Sequence, residues 1–177
     1  MKTCADEQLV VNYLKGDEES LEILVKRYLK PIFSFTYQYV GNSQEAEDIT
    51  QDVFIKIWRN LKKFDRNRSF KTWIFAIAKN TSIDWLKKKK AIPFSNFENE
   101  KGENLLINKL ADFILPPKEP LLETAIEKLP PKYRKTLSLR YNDQFTFREI
   151  AQTLGESINT VKSKHKRGIS LLRKILA

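Results

Sequence analysis

Residues 146–174 read TFREIAQTLGESINTVKSKHKRGISLLRK, and this stretch decides the fold of the C-terminal part of the chain. Thr146, Phe147, Arg148 and Glu149 have the pattern of a capping box, which starts a helix by satisfying orphan backbone donors reciprocally. Phe147, Ile150, Ala151 and Leu154 recur at i, i+3, i+4 and i+7, so that helix has one apolar face. Gly155 follows at once and can take the left-handed conformation that ends a helix. Ser157 is then placed to cap a second helix, whose apolar positions are Ile158, Val161, Ile169, Leu172 and Leu176. Two short helices around a glycine turn form a helix-turn-helix. The second helix carries six Lys or Arg and no Asp or Glu from Ser157 onward, the charge expected of a helix that enters a DNA groove. The alternative for the same spacing is a helical hairpin with a solvated basic face.

Charge extends the argument along the chain. The net charge is +10, and it is unevenly placed. Residues 1–58 hold six basic and ten acidic side chains; residues 59–92 hold eleven and two. Residues 93–120 hold three and five, and residues 121–177 twelve and five. Two basic segments on either side of a mildly acidic connector suggest two contacts on one polyanion. Only five glycines, with abundant Leu, Ile, Lys and Glu, favour helices over strands. The one cysteine, Cys4, cannot form an internal disulfide, and His165 is the one histidine, so no metal-ligand cluster and no cofactor site are expected. This usage fits a reducing cytosol, so a cytoplasmic location is expected. The chain opens with no signal-peptide pattern and has no run of the ~18 apolar residues needed to insert in a membrane. No phosphate loop, catalytic histidine pair or metal carboxylate cluster points to an enzyme.

The connector divides the chain. Residues 91–120 carry four of the seven prolines and several helix-breaking Asn and Gly. Leu105, Leu106, Leu110, Phe113, Ile114 and Leu115 make it too apolar for a purely solvated tether, so a partly docked linker is expected, with a short helix near 103–113. The boundaries are 1–92, 93–120 and 121–177. Upstream, the pattern predicts helices over 6–14, 18–40, about 42–61 and 70–89. Pro31 should bend or interrupt the second of these. Asn42, Ser43, Gln44 and Glu45 form a capping box for the third, with Ala46, Ile49, Val53, Phe54, Ile57 and Trp58 inward. Ser69 caps the fourth, which bears Phe70, Trp73, Ile74, Ile77, Ile83 and Leu86. Downstream, Leu122, Ala125, Ile126 and Leu129 give one helix, and Pro131 starts another, on which Leu137, Leu139 and Tyr141 pack behind the helix-turn-helix. The fold class is therefore all-α, with two small helical domains joined by a flexible linker.

Four segments together carry a resemblance: AEDITQDVFIKIW (46–58), RSFKTWIFAIAKNTSIDWLKKKK (68–90), LPPKYRKTLSLRY (129–141) and the helix-turn-helix. In this order they resemble bacterial sigma factors of the sigma-70 family, and within it the compact extracytoplasmic-function group, which keeps only regions 2 and 4. The resemblance covers nearly the whole chain outside the linker and the first few residues. It implies a protein that binds core RNA polymerase, recognises promoter −10 and −35 elements and opens the DNA. Its partners would be the polymerase, duplex −35 DNA, single-stranded −10 DNA and an anti-sigma factor.

The residues make physical sense of these expectations. Asp48, Gln51 and Asp52 lie away from the apolar stripe of the 42–61 helix, and the resemblance makes them, with Trp58, the surface that docks on the clamp helices of the largest polymerase subunit. Such a patch suits a basic partner helix; Trp58 itself reads equally as a core anchor or a contact. For the −10 element, opening needs a site for an unstacked base and cations for the strand. Arg66, Asn67, Arg68 and Ser69 can read a base edge, Phe70 and Trp73 supply aromatic faces, and Lys71, Lys79 and Lys87 supply charge, with Asn80 where the resemblance places −10 reading. Trp73 also reads as core. Ala76 and Ile77 stand where housekeeping relatives carry paired tryptophans, which implies weaker melting and narrower promoter tolerance. For the −35 element, Asn159, Lys162, Ser163 and Lys166 are base-edge candidates, with Ser157 and Thr160 at the helix start. Arg140, Arg148, Lys164 and Arg167 are candidates for phosphates, and spacing alone does not separate base from phosphate readers. His165 is expected at the boundary of the packed face or on a phosphate. A conventional operator-binding regulator is the alternative function, but it has no use for the aromatic, basic 64–90 segment.

Overall fold

The computed structural model describes residues 5–91, 125, 126 and 128–176. The expected linker, its helix near 103–113, Leu122 and Cys4 lie outside the described residues. Among the described residues there are seven helices and no strand. They are α1 (Asp6–Leu14), α2 (Glu18–Val40), α3 (Ser43–Asn60), α4 (Phe70–Ala91), α5 (Pro131–Tyr141), α6 (Phe147–Leu154) and α7 (Ile158–Leu176), with a 3₁₀ turn at Leu61–Lys63.

Local chemistry sets the boundaries. Gly41 ends α2 with φ 69°, and Gly155 ends α6 with φ 64°, both in the left-handed region. At the start of α6 both halves of the capping box form: Glu149 N donates to Thr146 Oγ1 (3.2 Å), and Thr146 N donates to Glu149 Oε2 (2.7 Å). At α3 only one half forms. Asn42 Oδ1 accepts from Glu45 N (3.0 Å), whereas the Glu45 carboxylate pairs with Lys89 on α4. α2 runs through Pro31 without interruption. The loss of one helical hydrogen bond is outweighed there by a buried face of Leu24, Tyr28, Ile32 and Phe35.

α1 to α4 form one lobe, in which α2 and α3 flank α4. Its core is Leu24, Ile32, Phe35, Ile49, Val53, Ile57, Phe70, Ile74 and Phe75, all under 5% exposed. The Thr36 and Thr50 hydroxyls meet across the α2–α3 seam at 3.1 Å, and each also bonds to a backbone carbonyl, so the buried polar groups are paired. α5 to α7 form the second lobe, in which Leu137, Leu139, Ile150 and Val161 are buried.

The two lobes share one continuous core. Phe35, Phe75 and Phe145 form an edge-to-face chain, with centroids 5.1 Å and then 5.0 Å apart. Each such contact contributes roughly 0.5–1.5 kcal/mol beyond area burial. α6 lies against α4, and α5 against the end of α2. The second helix of the helix-turn-helix departs from its expected packing. Val161 is buried, but Ile158 (38% exposed) and Leu176 (44% exposed) are not. Gly168 takes an inner position instead. A Cβ there would lie 3.2 Å from Leu137 Cδ1 and 3.3 Å from Tyr133 Cβ, so the absence of a side chain lets α7 approach α5. Tyr141 also differs from expectation: it is 58% exposed and stacks on His165 rather than packing inward.

Candidate nucleic-acid interface

Three surfaces gather the residues that the sequence singled out. The first is on α3. Asp48, Gln51, Asp52, Ile55 and Trp58 are exposed along one stripe. Trp58 is 58% exposed, so it is not a core residue; its Nε1 donates to Tyr13 Oη at 2.8 Å. Beside the stripe is an apolar groove of about 280 Å³ lined by Leu21, Val25, Tyr28, Phe54, Ile55 and Trp58 among others. Tyr28 donates to the Asp6 carboxylate; burial and that bond push its phenol well above the ordinary range.

The second surface follows α3 into α4. The 64–69 loop is an Asx turn in which Asp65 Oδ1 accepts from Asn67 N (3.0 Å). Asp65 also pairs with Arg68 at 3.4 Å. Arg66, Asn67 and Arg68 are left exposed, whereas Ser69 Oγ accepts from Thr72 N (3.3 Å) as a cap of α4. Phe70 departs from its expected role. It is 2% exposed, edge-on to Tyr28 and Phe64, and presents no aromatic face to solvent. Trp73 is half-buried against Phe64 (5.0 Å between centroids) and Phe70. Its free edge lines a cleft of about 350 Å³ with Lys56, Asn60, Lys63, Ile77, Asn80 and Thr81. Lys56 Nζ donates to Thr81 Oγ1 at 3.1 Å. Lys56, Asn60 and Lys63 were not expected; they come from the far side of the loop, and a helix-by-helix reading has no signal that α3 and α4 converge here. The cleft has amide and ammonium donors, an indole edge and no acid, which suits a nucleobase beside phosphate. Lys87 is exposed near the end of α4.

The third surface is the outer face of α7. Asn159, Lys162, Ser163, Lys166 and Arg167 are exposed, as is Arg148 on α6. Ser157 Oγ accepts from Thr160 N (3.1 Å) and shares a hydrogen bond with Thr160 Oγ1 (2.8 Å), so both hydroxyls serve the helix start. Lys132 and Tyr133 of α5 join Asn159, Ser163 and Arg167 around a second cleft of about 350 Å³. Two expected phosphate cations are engaged with protein. Arg140 donates to Phe145 O (2.8 Å), and Lys164 donates to both Glu156 carboxylate oxygens (2.6 and 2.7 Å). His165 bonds Tyr141 Oη at 3.0 Å; burial first, then Arg140, holds its imidazole below the ordinary pKa.

No group of three or more His, Cys, Asp or Glu among the described residues could hold a metal ion. No helix among the described residues is long and apolar enough to cross a membrane.

A two-lobed helical fold with a basic helix-turn-helix and a second cationic cleft defines a DNA-binding transcription protein. The family models agree: Sigma-70 region 2 matches residues 24–92, and Sigma-70 region 4 matches residues 120–172. The chain belongs to the sigma-70 family of bacterial RNA polymerase sigma factors, and within it to the extracytoplasmic-function group. Sigma factors are transcription initiation factors, not enzymes. The chain is 36% identical to the ECF RNA polymerase sigma factor SigW of Bacillus subtilis, over 92% of this chain and 91% of the relative. It is 30% identical to the ECF RNA polymerase sigma-E factor of Escherichia coli, over 90% and 87% respectively. Its fold matches that of CnrH in complex with the cytosolic domain of CnrY, with TM-score 0.67 and 21% identity over 98% of this chain and 97% of that one. It also matches the sigma factor RpoE in complex with the anti-sigma factor NepR from Bartonella quintana, with TM-score 0.66 and 18% identity over 89% and 97%.

Proposed function

We propose that residues 1–92 bind core polymerase and the −10 element, that residues 121–177 bind the −35 element, and that residues 93–120 join them. The observation that supports this most directly is the division of α3. One flank carries the exposed Asp48, Gln51, Asp52 and Trp58 beside an apolar groove. The other flank contributes Lys56 and Asn60 to the cationic cleft. A carboxylate stripe repels nucleic acid and attracts a basic protein helix; the cleft does the reverse. One rigid helix thus sets the polymerase and the melted strand in fixed relation.

Opening then proceeds from named groups. Arg66, Asn67 and Arg68 present donors at the loop tip, and Trp73, Asn80, Lys56 and Lys63 line the cleft that receives an unstacked base. Extruding a base costs a few kcal/mol, which these contacts offset. On the duplex −35 element, Asn159, Lys162, Ser163 and Lys166 face base edges, while Arg148, Arg167 and Lys132 face phosphates. An anti-sigma factor is the regulatory partner, acting in the cytoplasm.

The test is run-off transcription with core polymerase. Asn67→Ala with Arg68→Ala should spare polymerase binding and abolish opening of a duplex promoter, read by permanganate reactivity of thymines. Ser69 is left intact because its hydroxyl caps α4. A template mismatched around −10 should restore part of the activity, because unpairing is then largely done. Normal opening by the double variant removes the loop from the mechanism. Asp48→Arg with Asp52→Arg should lose core binding with an unchanged circular dichroism melt; retained binding removes the α3 stripe.

A further inference from the structure

We infer that Glu7, on the helix that precedes the matched region 2 segment, is a positioning residue for the −10 reading loop. This rests on the assignment of Arg66, Asn67 and Arg68 to −10 DNA. Glu7 Oε1 accepts from Phe70 N at 3.0 Å, from 63 positions upstream in the chain. Phe70 opens α4 directly after the loop, and its N–H is one of the first-turn donors that no helical carbonyl can reach. Ser69 Oγ takes another of these donors, Thr72 N, at 3.3 Å. The loop thus caps α4 with one group of its own, and α1 supplies a second. A carboxylate in that place also meets the positive end of the helix dipole.

Glu7 is itself held in place. Leu9 and Val10 on the same helix are buried in the N-terminal core. The neighbouring Asp6 accepts from Tyr28 and pairs with Arg27, both on α2. Tyr28 in turn lies edge-on to Phe70, with centroids 5.8 Å apart. Two adjacent carboxylates of α1 therefore converge on one residue: Glu7 on its N–H, and Asp6 through the ring that packs on its side chain. At the other root of the loop, buried Phe64 meets Phe70 edge-to-face at 5.4 Å. The tip between these roots is braced from within, because Asp65 accepts from Asn67 N and pairs with Arg68. A tip of that kind moves as a unit, so its aim relative to the Trp73–Asn80 cleft is set where it joins α4. Without Glu7 the Phe70 N–H loses its acceptor and the first turn of α4 is freed. Polar readers work only when supporting contacts fix their geometry.

The test uses the full chain with core polymerase on a duplex promoter. Glu7→Ala should open it about tenfold more slowly by permanganate reactivity, the rate equivalent of a lost helix cap. Core affinity should be unchanged. Glu7→Gln, whose amide oxygen still accepts, should restore most of the rate; a Gln variant as slow as the Ala variant overturns the hydrogen-bond role. The decisive measurement is a double-variant cycle with Asn67→Ala. If Glu7 acts through the loop, adding Glu7→Ala to that variant should slow opening by less than about twofold. Full additivity, or a loss of core affinity, overturns the positioning role. So does normal opening by Glu7→Ala where Asn67→Ala with Arg68→Ala is defective. Normal opening by the Asn67 and Arg68 double variant would instead refute the loop assignment, so the two failures are distinct. Amide hydrogen exchange gives a second reading that needs no polymerase. Glu7→Ala should quicken exchange across residues 66–72 and leave the buried middle of α2 unchanged. Equal quickening throughout the lobe would reduce Glu7 to a general stabiliser and overturn the inference.

Discussion

α4 and α7 are both long, basic helices proposed to touch DNA, yet they are built in opposite ways. α7 is amphipathic: Val161 and Gly168 face inward, and Lys162, Lys166 and Arg167 face solvent. α4 is buried on two sides. Phe70 and Ile74 pack into the N-terminal lobe, while Phe75 also meets Phe145 of the other lobe. Its cations are accordingly split, with Lys87, Lys88 and Lys89 exposed at the end and Lys71 and Lys79 half-buried in the middle. Basic composition thus fixes the partner class, and the period of the apolar residues decides which cations can reach it.

The largest test of that contrast is Phe75→Ala. Removing a ring buried between two lobes should cost ~3–5 kcal/mol in urea unfolding. Val161→Ala, on the singly buried α7, should cost clearly less. Equal losses would mean that the two-sided burial of α4 carries no energetic weight. Gly168→Leu comes next. A side chain forced against Leu137 and Tyr133 should destabilise the C-terminal lobe by ~1–3 kcal/mol through overpacking. A melting temperature unchanged from the parent would break the account of how α7 seats on α5.

Smaller effects sharpen the comparison at the level of recognition. Asn159→Ala should cost ~1–3 kcal/mol of discrimination between promoters at −35. Arg167→Ala, on the phosphate side of the same helix, should lower the salt slope by about one unit with no change in preference. Competition binding with −35 duplexes at several salt concentrations separates the two readings.

The smallest effect is a pH dependence of lobe closure. Burial pushes the Asp143 carboxyl up to about 7, against the pull of Lys71. Burial first, then the nearby charges of Arg134 and Lys164, push the Lys135 ammonium down to about 8. The closed form therefore prefers both groups neutral. Closure should strengthen as pH falls below about 7, because Asp143 takes up a proton more readily when buried. It should also strengthen as pH rises above about 8, because Lys135 releases one more readily. It is weakest between these limits. Energy transfer between dyes on the two lobes, followed across the range, checks the sign; a maximum near neutrality would reverse it.

Much of this was legible in the sequence, and the reasons differ by element. Gly16, Gly41 and Gly155 punctuate α1, α2 and α6, and the Thr146 box and Pro131 start α6 and α5, because these signals act within a few residues. The α3 stripe was legible from the spacing of Asp48, Gln51 and Asp52. Phe145, Phe75 and Gly168 carried no such signal. Phe145 lies in a turn, Phe75 lies off the single stripe that a one-faced helix shows, and Gly168 reads as a weak helix residue until α5 is placed beside it. Lys56, Asn60, Lys63, Lys132 and Tyr133 were missed for the same reason: each acquires its neighbours from a different helix. Phe70 was placed on the wrong side of the surface because an aromatic next to a polar loop looks like a stacking platform, whereas here it closes the core beneath that loop.

The Trp58 indole has a use beyond the docking role proposed for it. It is 58% exposed and donates its N–H to Tyr13, while Trp73 and Trp85 are half-buried. Of the three tryptophans in the chain, it therefore emits from the most aqueous setting. A protein helix laid along α3 would shift that emission to shorter wavelength, and DNA in the α3–α4 cleft would act mainly on Trp73. With the other tryptophans replaced by Phe, Trp58 emission would report a basic peptide helix laid along α3, and Trp73 emission would report a single strand entering the cleft, each without any attached dye.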